Sequence, residues 1–89
     1  MLSMENTKQY TFSQIQEENM KSNNNLLVVQ NSVYNVYSYL REHPGGSHIL
    51  VKYKNLDATG VFLAVGHSSD AAELMQTFKI GELVESEKM

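Results

Sequence analysis

The chain has no cysteine, so no disulfide can staple it and no thiolate can hold a metal. It has no tryptophan and a single proline, Pro44, which makes the one enforced break in helical backbone easy to place. Charge is balanced rather than patterned. Lys and Arg number 7 against 10 Asp and Glu, a net charge of −3, and no basic tract with interleaved aromatics suggests a nucleic-acid partner. No apolar run approaches the roughly 18 residues of a membrane span. The start, Met1-Leu2-Ser3-Met4-Glu5-Asn6, lacks the apolar core of a signal peptide. No Ser-His-Asp set, phosphate loop or acidic pair points to bond-making chemistry, so an enzyme is not expected.

What is present fits one small domain. At 89 residues the apolar core is expected to be marginal without a staple, and none is available from disulfides. The expected layout is α+β without internal repeats, with a flexible start over 1–7, a folded domain over 8–84 and a frayed end over 85–89. Lys8-Gln9-Tyr10-Thr11-Phe12 reads as a short strand, and Ser13 with Gln16 three residues on reads as the capping box of a helix over 14–19. Asn23-Asn24-Asn25 is turn-prone. The apolar run Leu26-Leu27-Val28-Val29, a turn at Gln30-Asn31-Ser32 and a second strand over 33–36 predict a hairpin. Helices are predicted over 37–42 and 47–54, then over 58–65 with Asp57 as N-cap, and again after a cap at Ser69 or Asp70. The strand Ile80-Gly81-Glu82-Leu83 closes the pattern.

Two histidines stand out against this layout. His43 sits in Arg41-Glu42-His43-Pro44-Gly45-Gly46, where the proline ends a helical turn and the glycines free the backbone to reverse. His67 sits in Val65-Gly66-His67-Ser68, just past a helix-closing glycine. A neutral imidazole is a good iron ligand, and two from separate helix ends can fill both axial positions of one haem. Zinc is the nearest rival, but a structural zinc site wants about four Cys or His ligands, and this chain offers three histidines. His48 reads as a surface residue. Without cysteine, any haem would be held non-covalently, and its burial would couple stability to ligand binding.

Taken together, Tyr10-Thr11, Val33-Tyr34, His43-Pro44-Gly45-Gly46, Asp57-Ala58-Thr59, Val65-Gly66-His67-Ser68, Asp70-Ala71 and Ile80-Gly81-Glu82-Leu83 resemble the cytochrome b5 family in order and spacing, over nearly the whole chain. The resemblance implies a small mixed β-sheet with two helix pairs forming a cleft for non-covalent haem b, and one-electron transfer as the activity. It implies His43 and His67 as metal ligands. It also implies a cleft lined by Val29, Val36, Tyr39, Ile49, Leu50, Phe62, Val65, Leu74 and Phe78, with Ser68 at the position that binds a haem propionate. Without the histidine pair the same apolar residues would read as plain core, and Ser68 reads equally well as a plain helix cap.

The implied partners are a flavin-containing reductase as donor and a haem or non-haem iron protein as acceptor. The domain is expected to be a soluble intracellular or cytoplasmic monomer, tethered to a membrane only if it belongs to a longer protein. Four departures from the family pattern matter. Tyr39 stands for a usual phenylalanine, Asn25 stands for a usual tryptophan before the first inner strand, Lys54-Asn55-Leu56 stands for Ala-Gly-Gly, and the positions that commonly ring the haem edge with carboxylates are Ser47, His48, Lys52, Gly60, Leu63 and Ala64. A haem- or steroid-binding regulatory or interaction module without electron transfer is the alternative reading.

Overall fold

The computed structural model describes residues 8–42, 46–66 and 69–89, with the side chain of Val65 also outside the description. The expected flexible start over 1–7, both candidate ligands His43 and His67, and Ser68 therefore lie outside the described residues.

Four strands form one mixed sheet: β1 (Gln9–Tyr10), β2 (Leu26–Val29), β3 (Ser32–Asn35) and β4 (Lys79–Leu83). Their spatial order is β1-β4-β3-β2, with β1 parallel to β4 and the other neighbours antiparallel. β2 and β3 are joined by the two-residue turn Gln30-Asn31, both in the left-handed region at φ 50° and 67°, the arrangement that matches the twist of a hairpin. Strand β3 begins at Ser32, one residue earlier than the sequence pattern suggests, because Ser32 pairs with Val29 directly across that turn.

Strand β2 is buried on both faces, and its alternation divides the core in two. Leu26 and Val28 pack with Tyr10, Ile15, Val33 and Leu83 under helix α1 (Phe12–Asn19). Leu27 and Val29 pack with Tyr34, Val36 and Ala58 on the other side. The free edge of β2 is covered as well. Val28 donates to the Leu56 carbonyl at 3.0 Å and accepts from Ala58 N at 2.7 Å, so Asp57 bridges Val28 as a one-residue parallel strand.

Helix α1 starts earlier than expected. Its N-cap is Thr11, not Ser13: the Thr11 hydroxyl accepts from Gln14 N at 3.0 Å and the Gln14 carboxamide accepts from Thr11 N at 2.9 Å. Both frames carry a box, and the earlier one wins because β1 ends at Tyr10 and Phe12 already packs against the first core. The predicted helix over 37–42 is a 3-10 helix (Tyr37–Glu42). Helix α2 (Ser47–Lys52) ends two residues short of expectation, since Lys54 N turns back to Val51 O and Asn55 adopts φ 72°. That left-handed Asn55 takes the role a glycine has at such a turn, its amide donating to Leu26 O at 2.9 Å.

Helix α3 (Thr59–Val65) follows Ala58 as N-cap. Asp57 still serves the helix start from one residue back, its carboxylate accepting from Thr59 N at 2.8 Å and from the Thr59 hydroxyl at 2.6 Å. Helix α4 (Ser69–Gln76) leads into β4. Beyond it the chain makes a 3-10 turn (Glu85–Glu87) in which Glu87 accepts from Phe12 N at 2.7 Å, while Asn31 and Met89 exchange two hydrogen bonds. On the same end, Lys79 lies 3.2 Å from Glu82 and, with Lys88, holds that carboxyl below its ordinary range.

Candidate functional site

The second core opens into a cavity of about 680 Å³, a size typical of small-molecule and cofactor sites. Its floor is the sheet, contributing Leu27 and Val29 from alternate positions of β2 and Val36 just after β3. Its walls follow helical spacing. Helix α2 supplies Ile49, Leu50 and Tyr53, the start of α3 supplies Ala58, Val61 and Phe62, and α4 with its last turn supplies Ala71, Leu74, Met75 and Phe78. Each set recurs at three- and four-residue intervals, which is why short helices can each turn one apolar stripe to the same space. Tyr39 joins from the 3-10 helix, its ring 5.4 Å from that of Phe78 and tilted by 34°.

Eight of the residues named from sequence, Val29, Val36, Tyr39, Ile49, Leu50, Phe62, Leu74 and Phe78, are thus brought to one cavity. Val65 and Ser68 fall outside the described side chains, as do the two histidines. Sequence reasoning passed over Leu27, Tyr53, Val61 and Met75 as lining residues. The signal was available: Leu27 lies two residues before Val29 on a strand, and Tyr53 and Met75 continue the same helical stripes as Leu50 and Phe78.

The chemistry of the described lining is that of an apolar guest. Aliphatic and aromatic carbons dominate it, and the polar side chains reaching it are those of Tyr39, Tyr53 and His48. His48 is exposed and stands at the mouth, its ring folded back so that a Cβ on Gly46 would sit 3.1 Å from Nδ1. Gly46 itself has φ 92°, a conformation that favours glycine. Ala64 and Leu74 also line the cavity while remaining exposed, and Leu63 beside them is 57% exposed, so the mouth has an apolar rim. Among the described residues no cluster of three or more His, Asp or Glu could hold a metal ion. No helix of the described residues is long and apolar enough to cross a membrane.

Comparison with known proteins agrees with this architecture. Cytochrome b5 of Musca domestica is 42% identical over 87 residues, covering 98% of this chain and 64% of that protein. Cytochrome b5 of Drosophila melanogaster is 44% identical with the same coverage, and that of Sus scrofa is 46% identical over 76 residues, 85% of this chain and 56% of that one. The chain therefore spans less than two thirds of the length of these curated relatives. Among solved structures, Ectothiorhodospira vacuolata cytochrome b558, described as a prokaryotic homologue of cytochrome b5, superposes with a TM-score of 0.72 at 26% identity, covering 86% of this chain and 99% of that one. The family model described as Cytochrome b5-like Heme/Steroid binding domain matches residues 11–84, so most of the described sheet and every helix around the cavity fall inside it, and the chain belongs to that family.

Proposed function

We propose that the cleft holds one non-covalent haem b with His43 and His67 as its axial ligands, and that the domain carries single electrons from a flavin-containing reductase to a haem or non-haem iron acceptor protein. The observation that carries this reading is the apolar cavity together with the chain positions of the two histidines. His43 follows the 3-10 helix that presents Tyr39 and precedes α2, which presents Ile49 and Leu50. His67 falls between Gly66, the C-cap of α3, and Ser69, the first residue of α4. The elements that line the cavity thus begin or end beside the candidate ligands.

Bound there, haem supplies an iron that changes valence by one electron. The chain's part is to hold, orient and shield. The imidazoles of His43 and His67 would hold the iron and leave no open position for oxygen or substrate. Val29, Val36, Leu50, Phe62 and Phe78 would exclude water from a haem held in the cavity and, with the histidines, tune its potential. The family resemblance would add Val65 to the lining and the Ser68 hydroxyl and backbone N–H as the group that would receive a propionate. The exposed Ala64, Leu74 and His48 leave the mouth accessible, so a haem held there could exchange an electron with a partner with no bond made or broken.

Titrating the purified chain with haemin and recording oxidised, dithionite-reduced and carbon-monoxide-treated spectra tests the reading. One haem per chain, low-spin in both redox states and indifferent to carbon monoxide, is the expected result. A high-spin spectrum, ready carbon monoxide binding or absence of stoichiometric uptake overturns it.

A further inference from the structure

Two amide side chains beneath the cleft join segments that apolar packing alone leaves free to slide. Asn25, 2% exposed, donates its backbone N–H to Asn35 Oδ1 at 3.0 Å and its side-chain Nδ2 to Leu50 O at 3.3 Å, and its carbonyl accepts from Val36 N at 3.1 Å. Asn35 Oδ1 also accepts from Tyr37 N at 3.2 Å, and its backbone N–H donates to Phe78 O at 2.9 Å. Its Nδ2 donates to Asn24 Oδ1 at 3.0 Å. Leu50 lies in the last turn of α2, where helix carbonyls lose their in-helix partners, and Lys54 N, the regular partner for Leu50 O, is taken by Val51 O. Asn25 supplies the missing donor from the sheet.

We infer that Asn25 and Asn35 are positioning residues for the bound haem: they fix the α2 wall and the Tyr39-bearing turn to the sheet floor, and so set how slowly haem leaves. This rests on the haem site proposed above. The two positions make different demands: Asn25 must donate to Leu50 O, whereas Asn35 must accept from two backbone N–H groups at once, which a carboxylate can also do. Leaving this part-buried carbonyl unpartnered is the costly outcome.

The test is haem transfer from the loaded protein to excess apomyoglobin. Asn25→Asp, which places an oxygen against Leu50 O, should speed release about tenfold or more. Asn35→Asp gives up the bond to Asn24, which holds the loop before β2 rather than a cleft wall, but keeps the acceptor for both N–H groups and should stay within about twofold of the parent. Ile15→Val lowers global stability from the other core and should leave the release rate unchanged. If Asn25→Asp does not fold, Asn25→Leu also lacks the donor and carries the measurement. In the haem-free protein, Asn35→Ala should accelerate hydrogen exchange at the Asn25 and Tyr37 amides about tenfold, and Asn35→Asp should not. Parent-like release from the Asn25 variant, or equal acceleration by Ile15→Val, overturns the inference. If the parent takes up no haem, the haem reading fails separately. Exchange at the two amides then decides the tie, and unchanged exchange in Asn35→Ala overturns it.

Discussion

One chemical change, glycine to alanine, should move the stability of this domain in opposite directions at three positions, and the structure sets each sign. At Gly81, in the middle of β4, an added Cβ would collide with Lys8 O and lie 2.7 Å from Tyr10 Cε1, inside the 3.0 Å that real Cβ atoms keep. The obstacle is backbone, and the strands cannot simply part, because Glu82 N donates to Lys8 O and Val84 N to Tyr10 O, both at 2.9 Å. Overpacking of this kind costs about 1–3 kcal/mol, and at about 4–8 °C per kcal/mol for a domain of this size Gly81→Ala should melt some 5–20 °C lower. At Gly60 an added Cβ meets nothing within 4 Å, and the residue is helical and exposed, so Gly60→Ala should gain about 0.5–1 kcal/mol. At Gly66 there is also open space, but φ is 72°, and Gly66→Ala should lose about 1–2 kcal/mol to backbone strain alone. Thermal unfolding of the haem-free protein, followed by circular dichroism, reads all three. A Gly81→Ala midpoint at or above the parent's would refute the reasoning, since it would mean that the close approach of β1 to β4 is not what the residue is for.

Three further outcomes are expected. His43→Ala and His67→Ala should each convert the haem spectrum to weak or high-spin binding while His48→Ala leaves it unchanged, and equal damage from all three would show the ligands to be misassigned. The Glu82 carboxyl is held low first by its hydrogen bond and charge contact with Lys79 and then by Lys88, so its contribution to stability is present above its unfolded pKa and is lost as pH falls through the lower folded value. Glu82→Gln should therefore be less stable than the parent at pH 7 and indistinguishable at about pH 2, checked by urea midpoints at the two pH values; a gap that persists in acid would show that charge is not the cause. Between Ser47 and Ser69 the ionised side chains are Lys52, Lys54 and Asp57, so reduction of a strongly basic acceptor such as cytochrome c should depend only weakly on ionic strength, and a steep fall in stopped-flow rate with salt would contradict this.

Elements with a local signal were readable from the sequence. The unbroken run Leu26-Leu27-Val28-Val29 marks a strand buried on both faces, and the three- and four-residue stripes of α2 and α4 mark the cleft walls, because apolar pattern along a short stretch records burial locally. Where two local signals competed, as with the overlapping capping boxes at Thr11 and Ser13, the choice was made by β1, whose partner residues Glu82 and Leu83 lie more than seventy positions away. The bridge from Val28 to Asp57 and the capping of α1 by Glu87 were hidden for the same reason, since neither leaves a period or a composition bias. Asn55 was ambiguous until its φ of 72° was seen, because asparagine serves turns of either hand. For His43 and His67 the motif strings remain the source of the assignment, as both lie outside the described residues.

The two-sided burial of β2 has a consequence for redesign. Its even-numbered residues, Leu26 and Val28, belong to the scaffold under α1, while its odd-numbered residues, Leu27 and Val29, belong to the cavity. Parity along four consecutive residues therefore separates two otherwise entangled properties. A library varied at 27 and 29 with matched volumes explores new guests on a constant frame, whereas the same library shifted by one residue samples only how well the frame holds.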